Sequence, residues 1–180
     1  AKIDSIRAEC PTLEHVISLC HGSSRVVVLR GNHEQMLLDA VDDVYGDAAA
    51  HWLHVGGAKT MRDYDGEVPE GHVEFLRALP LWHRNGRFVF VHAGLRRDAG
   101  VTEQLRRGDP NVLLWERDHL KPGVRAWEPG LTVVCGHTIQ QEPLIDEQLV
   151  CIDTGAARGD SLTAIDLTNA LVYQATPGGD

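Results

Sequence analysis

Four short apolar runs constrain this 180-residue chain more than anything else in it: RVVVLR (25–30), RFVFVHAGL (87–95), LTVVCGHT (131–138) and QLVCIDTGA (148–156). Each is rich in β-branched or aromatic residues and breaks at a glycine-containing polar turn. Continuous apolar runs of this length mark strands buried in a sheet, and the turns after them carry side chains to a shared edge. A further pair of runs lies in LTAIDLTNALVYQA (162–175). Helical spacing fills the intervals. In CPTLEHVISLC, Leu13, Val16, Ile17 and Cys20 fall at i, i+3, i+4 and i+7 behind Pro11 and Thr12. EQMLLDAVDDVYG, DAAAHWLHVGG and VPEGHVEFLRALPLW read as three more helices, the first two ended by glycine. The alternation predicts an α/β protein.

The chemistry gathers where the strands end. Asn32 and His33 follow the first run, His92 ends the second, His137 the third, and Asp153 with Thr154 the fourth. In an open α/β sheet, ligand sites form where strand ends and their loops converge, so residues distant in sequence can meet there. Amide, imidazole and carboxylate donors together suit manganese, iron or zinc and are too nitrogen-rich for calcium or magnesium. One histidine after a strand is commonly structural; three such sites together are not. His15, His21, His51, His54, His72, His83 and His119 lack that context and read as surface or structural residues, and Cys135 as strand core.

Composition narrows the partners. A formal net charge of -9 disfavours nucleic acid, whose phosphates such a surface repels. No stretch approaches the roughly 20 apolar residues of a membrane helix, and AKIDSIRAEC has no signal-peptide core. Cys10, Cys20, Cys135 and Cys151 show no CxxC spacing and read as free buried thiols of a reducing, cytoplasmic compartment. The length is that of about one domain. Oligomeric state is left open.

LRGNHE, FVFVHAGL, LLWERD, VVCGHT and CIDTGAARGDSLTAIDL occur in an order and spacing that resemble the calcineurin-like metallophosphoesterases, and most closely the bacterial serine/threonine members of the phosphoprotein phosphatase family. The resemblance implies an α/β sandwich of two mixed β-sheets flanked by helices, over a single domain from residue 1 to 180. It implies hydrolysis of phosphoesters by a hydroxide that two divalent cations, manganese, iron or zinc, activate between them. Asn32, His92 and His137 then resemble the protein ligands of one metal. His33 resembles the general acid that protonates the leaving oxygen, with Asp4 holding its ring. Arg117, with Asn32, resembles the group that grips the substrate phosphate. The substrate is a phosphorylated protein or a small phosphoester. Glu34 in GNHE favours a phosphoprotein; symmetric dinucleoside tetraphosphates are the alternative.

The beginning of the chain departs from the family. An opening strand with Asp-x-His is absent, and aligning AKIDSIR on the next motif, Gly-Asp-x-x-Asp-Arg-Gly, puts Ala1 where a metal-bridging aspartate belongs. Asp4 matches the later aspartate, Ser5 and Ile6 replace Arg-Gly, and Arg7 is a displaced candidate for the missing arginine. Two readings stand. Either the sequence is N-terminally incomplete and inactive as it is, with its first strands missing and the valines of 26–29 exposed, or it is a degenerate fold that binds phosphorylated ligands without turnover.

Overall fold

The computed structural model describes residues 11–121 and 127–178, and these fall into two compact units, one ending at Pro80 and one beginning at Leu81. The first unit is helical. α1 (Pro11–Gly22) and α2 (Asn32–Asp42) are joined through an extended stretch, and α3 (Asp47–Trp52), α4 (Ala58–Asp63) and α5 (Glu70–Ala78) follow. A wide π-type turn, Leu53–Gly57, separates α3 from α4, and it bends where Gly56 takes φ +123 inside it. All four helices expected from the sequence are present, the third run ending in this turn, and α4 beyond it is a further helix, not among those expected.

The core of this unit is set by α2. Met36, Leu37, Leu38 and Ala40 are buried with Trp52, Leu76 and Leu79, and Leu13, Val28 and Phe75 pack against them. Polar contacts tie the helices together. His72 is buried, with Nδ1 against the Tyr64 hydroxyl at 2.9 Å and Nε2 against Glu14 at 2.7 Å, so it links α5 to α1. Arg30 reaches the carbonyl oxygens of Arg77 and Leu79, which the end of α5 leaves without helical partners.

One expected strand is not formed. Residues 26–30 follow a turn at Ser24 and Arg25 and form no strand; among the described residues no ladder partner lies beside them, and the Arg30 N–H donates to the Pro80 carbonyl at 2.9 Å. Val26 is 37% and Val27 46% exposed. High β propensity favours an extended backbone, whereas a strand also needs a neighbour to take its N–H and C=O groups.

The second unit is built on a five-stranded mixed sheet. β1 (Trp82–Asn85) and β2 (Phe88–Val91) form a hairpin around Gly86, whose φ of +58 suits the tight turn. α6 (Val101–Arg107) and α7 (Pro110–Leu113) precede β3 (Thr132–Cys135), β4 (Leu144–Ile145) and β5 (Leu149–Cys151). The spatial order is β1-β2-β3-β5-β4, with β2, β3 and β5 parallel. β6 (Leu162–Asp166) and β7 (Leu171–Ala175) form a second, small antiparallel sheet. β1 falls at the end of the run read as a helix, which in fact stops at Ala78, before Pro80.

The three parallel strands are nearly all buried, and Val89, Val91, Val133, Cys135, Leu149 and Cys151 form one core with Leu95, Val101, Leu105 and Leu113. That is why their sequences are apolar without alternation. Their register brings the C-terminal ends into line, with Phe90 beside Val134 and Cys135 beside Cys151. His92, His137 and Asp153 therefore leave neighbouring strands on one edge of one sheet. The fold is α/β, a mixed sheet with a second small sheet and helices. No helix among the described residues is long and apolar enough to cross a membrane.

Candidate active site

In the second unit, His92 and His137 meet. Nε2 of His92 lies 3.2 Å from Nδ1 of His137, with ring centroids 5.0 Å apart and planes at 62°. The loops that carry them are bonded to each other, since the Gly136 N–H donates to the His92 carbonyl at 2.9 Å. His137 itself has φ +64, in the left-handed region that residues with a Cβ seldom occupy. Such a conformation persists when surrounding contacts impose it, and it clusters at functional sites. Trp115 packs edge-on against the His137 ring at 5.7 Å and 85°. Trp115 lies within the LLWERD motif, but no role of its own is expected of it from sequence.

Arg117 comes to the same place. Its Nη1 donates to Thr138 Oγ1 at 3.3 Å, one residue beyond His137, and the side chain is otherwise exposed. Asp153 turns its Oδ1 back to accept the Gly155 N–H at 3.0 Å. Thr154 is buried, with its hydroxyl 2.6 Å from Thr163 Oγ1 and 2.6 Å from the Ser161 carbonyl, and so fastens the end of β5 to β6. That makes Thr154 structural.

The first unit holds the other two candidates. Asn32 and His33 are the first residues of α2, Asn32 buried and His33 exposed. His33 and Glu34 border an apolar cavity of about 450 Å³ between α1, α2 and α5, lined by Leu13, Val16, Leu37, Trp52 and Phe75. Glu34 has a local task. Its Oε2 accepts the Gly31 N–H at 2.8 Å, closing the first turn of α2. Asp4 and Arg7 lie outside the described residues.

The His92–His137 pair is a fit for a transition-metal cation. Two imidazole nitrogens bound tetrahedrally at about 2.0–2.1 Å stand roughly 3.4 Å apart, close to the spacing seen here. Imidazole is a common ligand for zinc, iron and manganese enzymes and a poor one for magnesium.

A second group of donors, which the sequence does not announce, lies deeper in the same unit. His119, in the short 3₁₀ turn Asp118–Leu120, is buried, with Nε2 3.7 Å from Cys135 Sγ, and Cys135 Sγ is 3.2 Å from Cys151 Sγ. The hydrogen bond from the Cys135 thiol pushes Cys151 down to about 6, helped by His119 and Arg97 and opposed by burial, and it pushes Cys135 up. His119 reads in sequence as an ordinary loop histidine because nothing nearby in the chain points to contacts 16 residues away.

Comparison with known proteins places the chain in the class of metallophosphoesterases. The chain belongs to the calcineurin-like phosphoesterase family, whose pattern matches residues 7–149 and runs across the junction of the two units. It is 25% identical, over 95% of its own length and 82% of the relative, to the symmetrical bis(5'-nucleosyl)-tetraphosphatase of Aromatoleum aromaticum. In fold it is similar to a solved structure assigned as a candidate diadenosine tetraphosphatase, with TM-score 0.64 and 18% identity, over 93% of this chain and 73% of that one. It is also similar to a mutant cold-active protein tyrosine phosphatase, with TM-score 0.51 and 17% identity, over 84% and 56% of the two chains.

Proposed function

We propose that this chain is a metal-dependent hydrolase of phosphorus–oxygen bonds, that its two units are parts of one metallophosphoesterase domain, and that its substrate is a symmetric dinucleoside tetraphosphate. The observation that carries the reading is the His92–His137 pair with Arg117 tethered beside it through Thr138. His92 and His137, with Asn32, are the ligands of one cation. Bound divalent cations in such enzymes supply Lewis acidity and activate the attacking water.

The chain's own residues do the rest. Thr138 engages one N–H of Arg117 and leaves most of the guanidinium fork for phosphate oxygens, which it matches in shape and charge. Trp115 holds the His137 ring by its edge-on contact. His33, exposed at the start of α2, donates the proton that the leaving oxygen takes as the phosphorus–oxygen bond breaks. Water adds at the phosphorus, and symmetric cleavage of a four-phosphate bridge yields two nucleoside diphosphates.

The preference for a nucleotide over a phosphoprotein rests on two supports. The similar curated relative bears that activity in its name. Glu34, which in sequence favours a phosphoprotein, is occupied in capping α2, and a helix cap says nothing about substrate. Hydrolysis of diadenosine tetraphosphate and of a phosphoserine peptide, measured side by side in Mn²⁺ on the chain extended by an N-terminal segment that bears the family's Asp-x-His and Gly-Asp motifs, tests the reading. The expected result is ADP as the adenine product, with kcat/KM about tenfold or more above the peptide, a gap of roughly 1.4 kcal/mol in transition-state stabilisation. Faster turnover of the peptide would return the assignment to a protein phosphatase. Binding of either compound without turnover would favour the non-catalytic reading.

A further inference from the structure

Cys135 and Cys151 are register partners on the adjacent parallel strands β3 and β5, and their sulfurs point to one side, 3.2 Å apart. His119 closes the third corner, and its Nε2 and the two sulfurs all lie within 4.8 Å of one another. The three residues are 2%, 3% and 0% exposed. An ordinary core would be more stable with leucine in place of the imidazole, because His119 Nδ1 is buried with no hydrogen-bond partner. The surroundings make room for this ring. Gly94 lies flat against it, and a Cβ there would stand 2.1 Å from His119 Cε1. Trp127 stacks at a tilt, 6.1 Å between centroids, and carries the Arg97 guanidinium 3.5 Å above its own ring.

We propose that His119, Cys135 and Cys151 form a binding site for one soft cation, monovalent copper, separate from the phosphoesterase ligands. Paired thiolates select soft or borderline ions over magnesium, calcium and manganese, and the imidazole suits the same choice. Three buried donors with no solvent access suit an ion content with three ligands. Among the described residues zinc, which takes four ligands in closed sites, would lack one. Charge points the same way. Two thiolates and one monovalent cation leave a single negative charge, and the Arg97 guanidinium, which it shares with Asp146, offsets part of it. A three-coordinate ion needs the sulfurs, now 3.2 Å apart, to part by about 0.8 Å, since metal–sulfur bonds of about 2.3 Å span slightly less than 4 Å between donors.

Anaerobic titration of the reduced protein with Cu(I), buffered by a chelator of known affinity, tests the site. One equivalent per chain should bind with a thiolate-to-copper absorption band in the near ultraviolet. X-ray absorption on the unmodified protein should show two sulfurs and one nitrogen around copper, which needs no variant to fold. Cys151→Ser should bind about 100-fold more weakly or less, while Cys20→Ser on α1 should bind like the parent. A shell of nitrogen and oxygen alone, or an unchanged affinity in Cys151→Ser, would overturn the site. Tighter binding of Zn²⁺ by the same donors would overturn the choice of a monovalent ion. Recovery of a Cys135–Cys151 disulfide from protein that takes up no copper would overturn the metal in favour of a redox pair.

Discussion

The carboxylate of Glu34 satisfies one of the amide groups that the first turn of a helix leaves open, and this single bond at 2.8 Å gives it a structural task unlike the roles proposed for its neighbours Asn32 and His33. Glu34→Ala should lower stability by about 1 kcal/mol, the usual worth of such a cap, and leave the ratio of nucleotide to peptide turnover unchanged. Denaturant unfolding and the two assays measure both; a shifted ratio would restore Glu34 to substrate choice. His33→Ala should act through the leaving group. A nucleoside diphosphate leaves more readily than a serine alkoxide, so any peptide turnover should fall by about 10²–10⁴ and tetraphosphate cleavage by less. Equal losses on the two substrates would remove His33 from acid catalysis. Arg117→Lys replaces a planar fork by a point charge, and competitive inhibition by inorganic phosphate should weaken accordingly. An unaltered inhibition constant would leave Arg117 to its bond with Thr138 alone.

At the scale of elements, the parallel strands β2, β3 and β5 are legible in sequence because burial on both faces leaves an unbroken apolar run, and the polar residues after them are legible for the same reason. The strand pattern thus puts His92 and His137 at strand ends that can meet across 45 positions, and the family resemblance is what joins them in one site. Val26–Leu29 carries the same signal, yet composition does not supply the partner that a ladder requires. β1 is concealed behind Pro80, since ALPLW continues a helical apolar pattern past the residue where the helix must stop. His119 is illegible for another reason: its place depends on a glycine 25 positions earlier in the chain, which leaves room for its ring. Gly94→Ala would force a methyl group against that ring. The variant should lose several kcal/mol, in the range of severe core overpacking, and thermal melting should show it. A melting temperature within a degree or two of the parent would mean that His119 can leave its pocket freely.

For the whole molecule, the net charge of -9 and the set of nitrogen donors describe a protein that concentrates cations rather than polyanions. A polyphosphate substrate must therefore be received through local positive charge, which Arg117 and bound metal would provide against the general field. The two proposals together divide metal chemistry between two places on one sheet, with imidazoles at the strand ends and thiolates within β3 and β5 for a soft cation. Everything proposed for the phosphoesterase depends on His92 and His137 holding its metal. Manganese bound to the purified chain, measured by elemental analysis after equilibration and removal of free ion, is the decisive quantity. His92→Ala and His137→Ala should each lose most of the manganese that the parent retains, while Cys135→Ser keeps it. Manganese retained in full by both histidine variants would remove the pair from the metal site and the proposed chemistry with it.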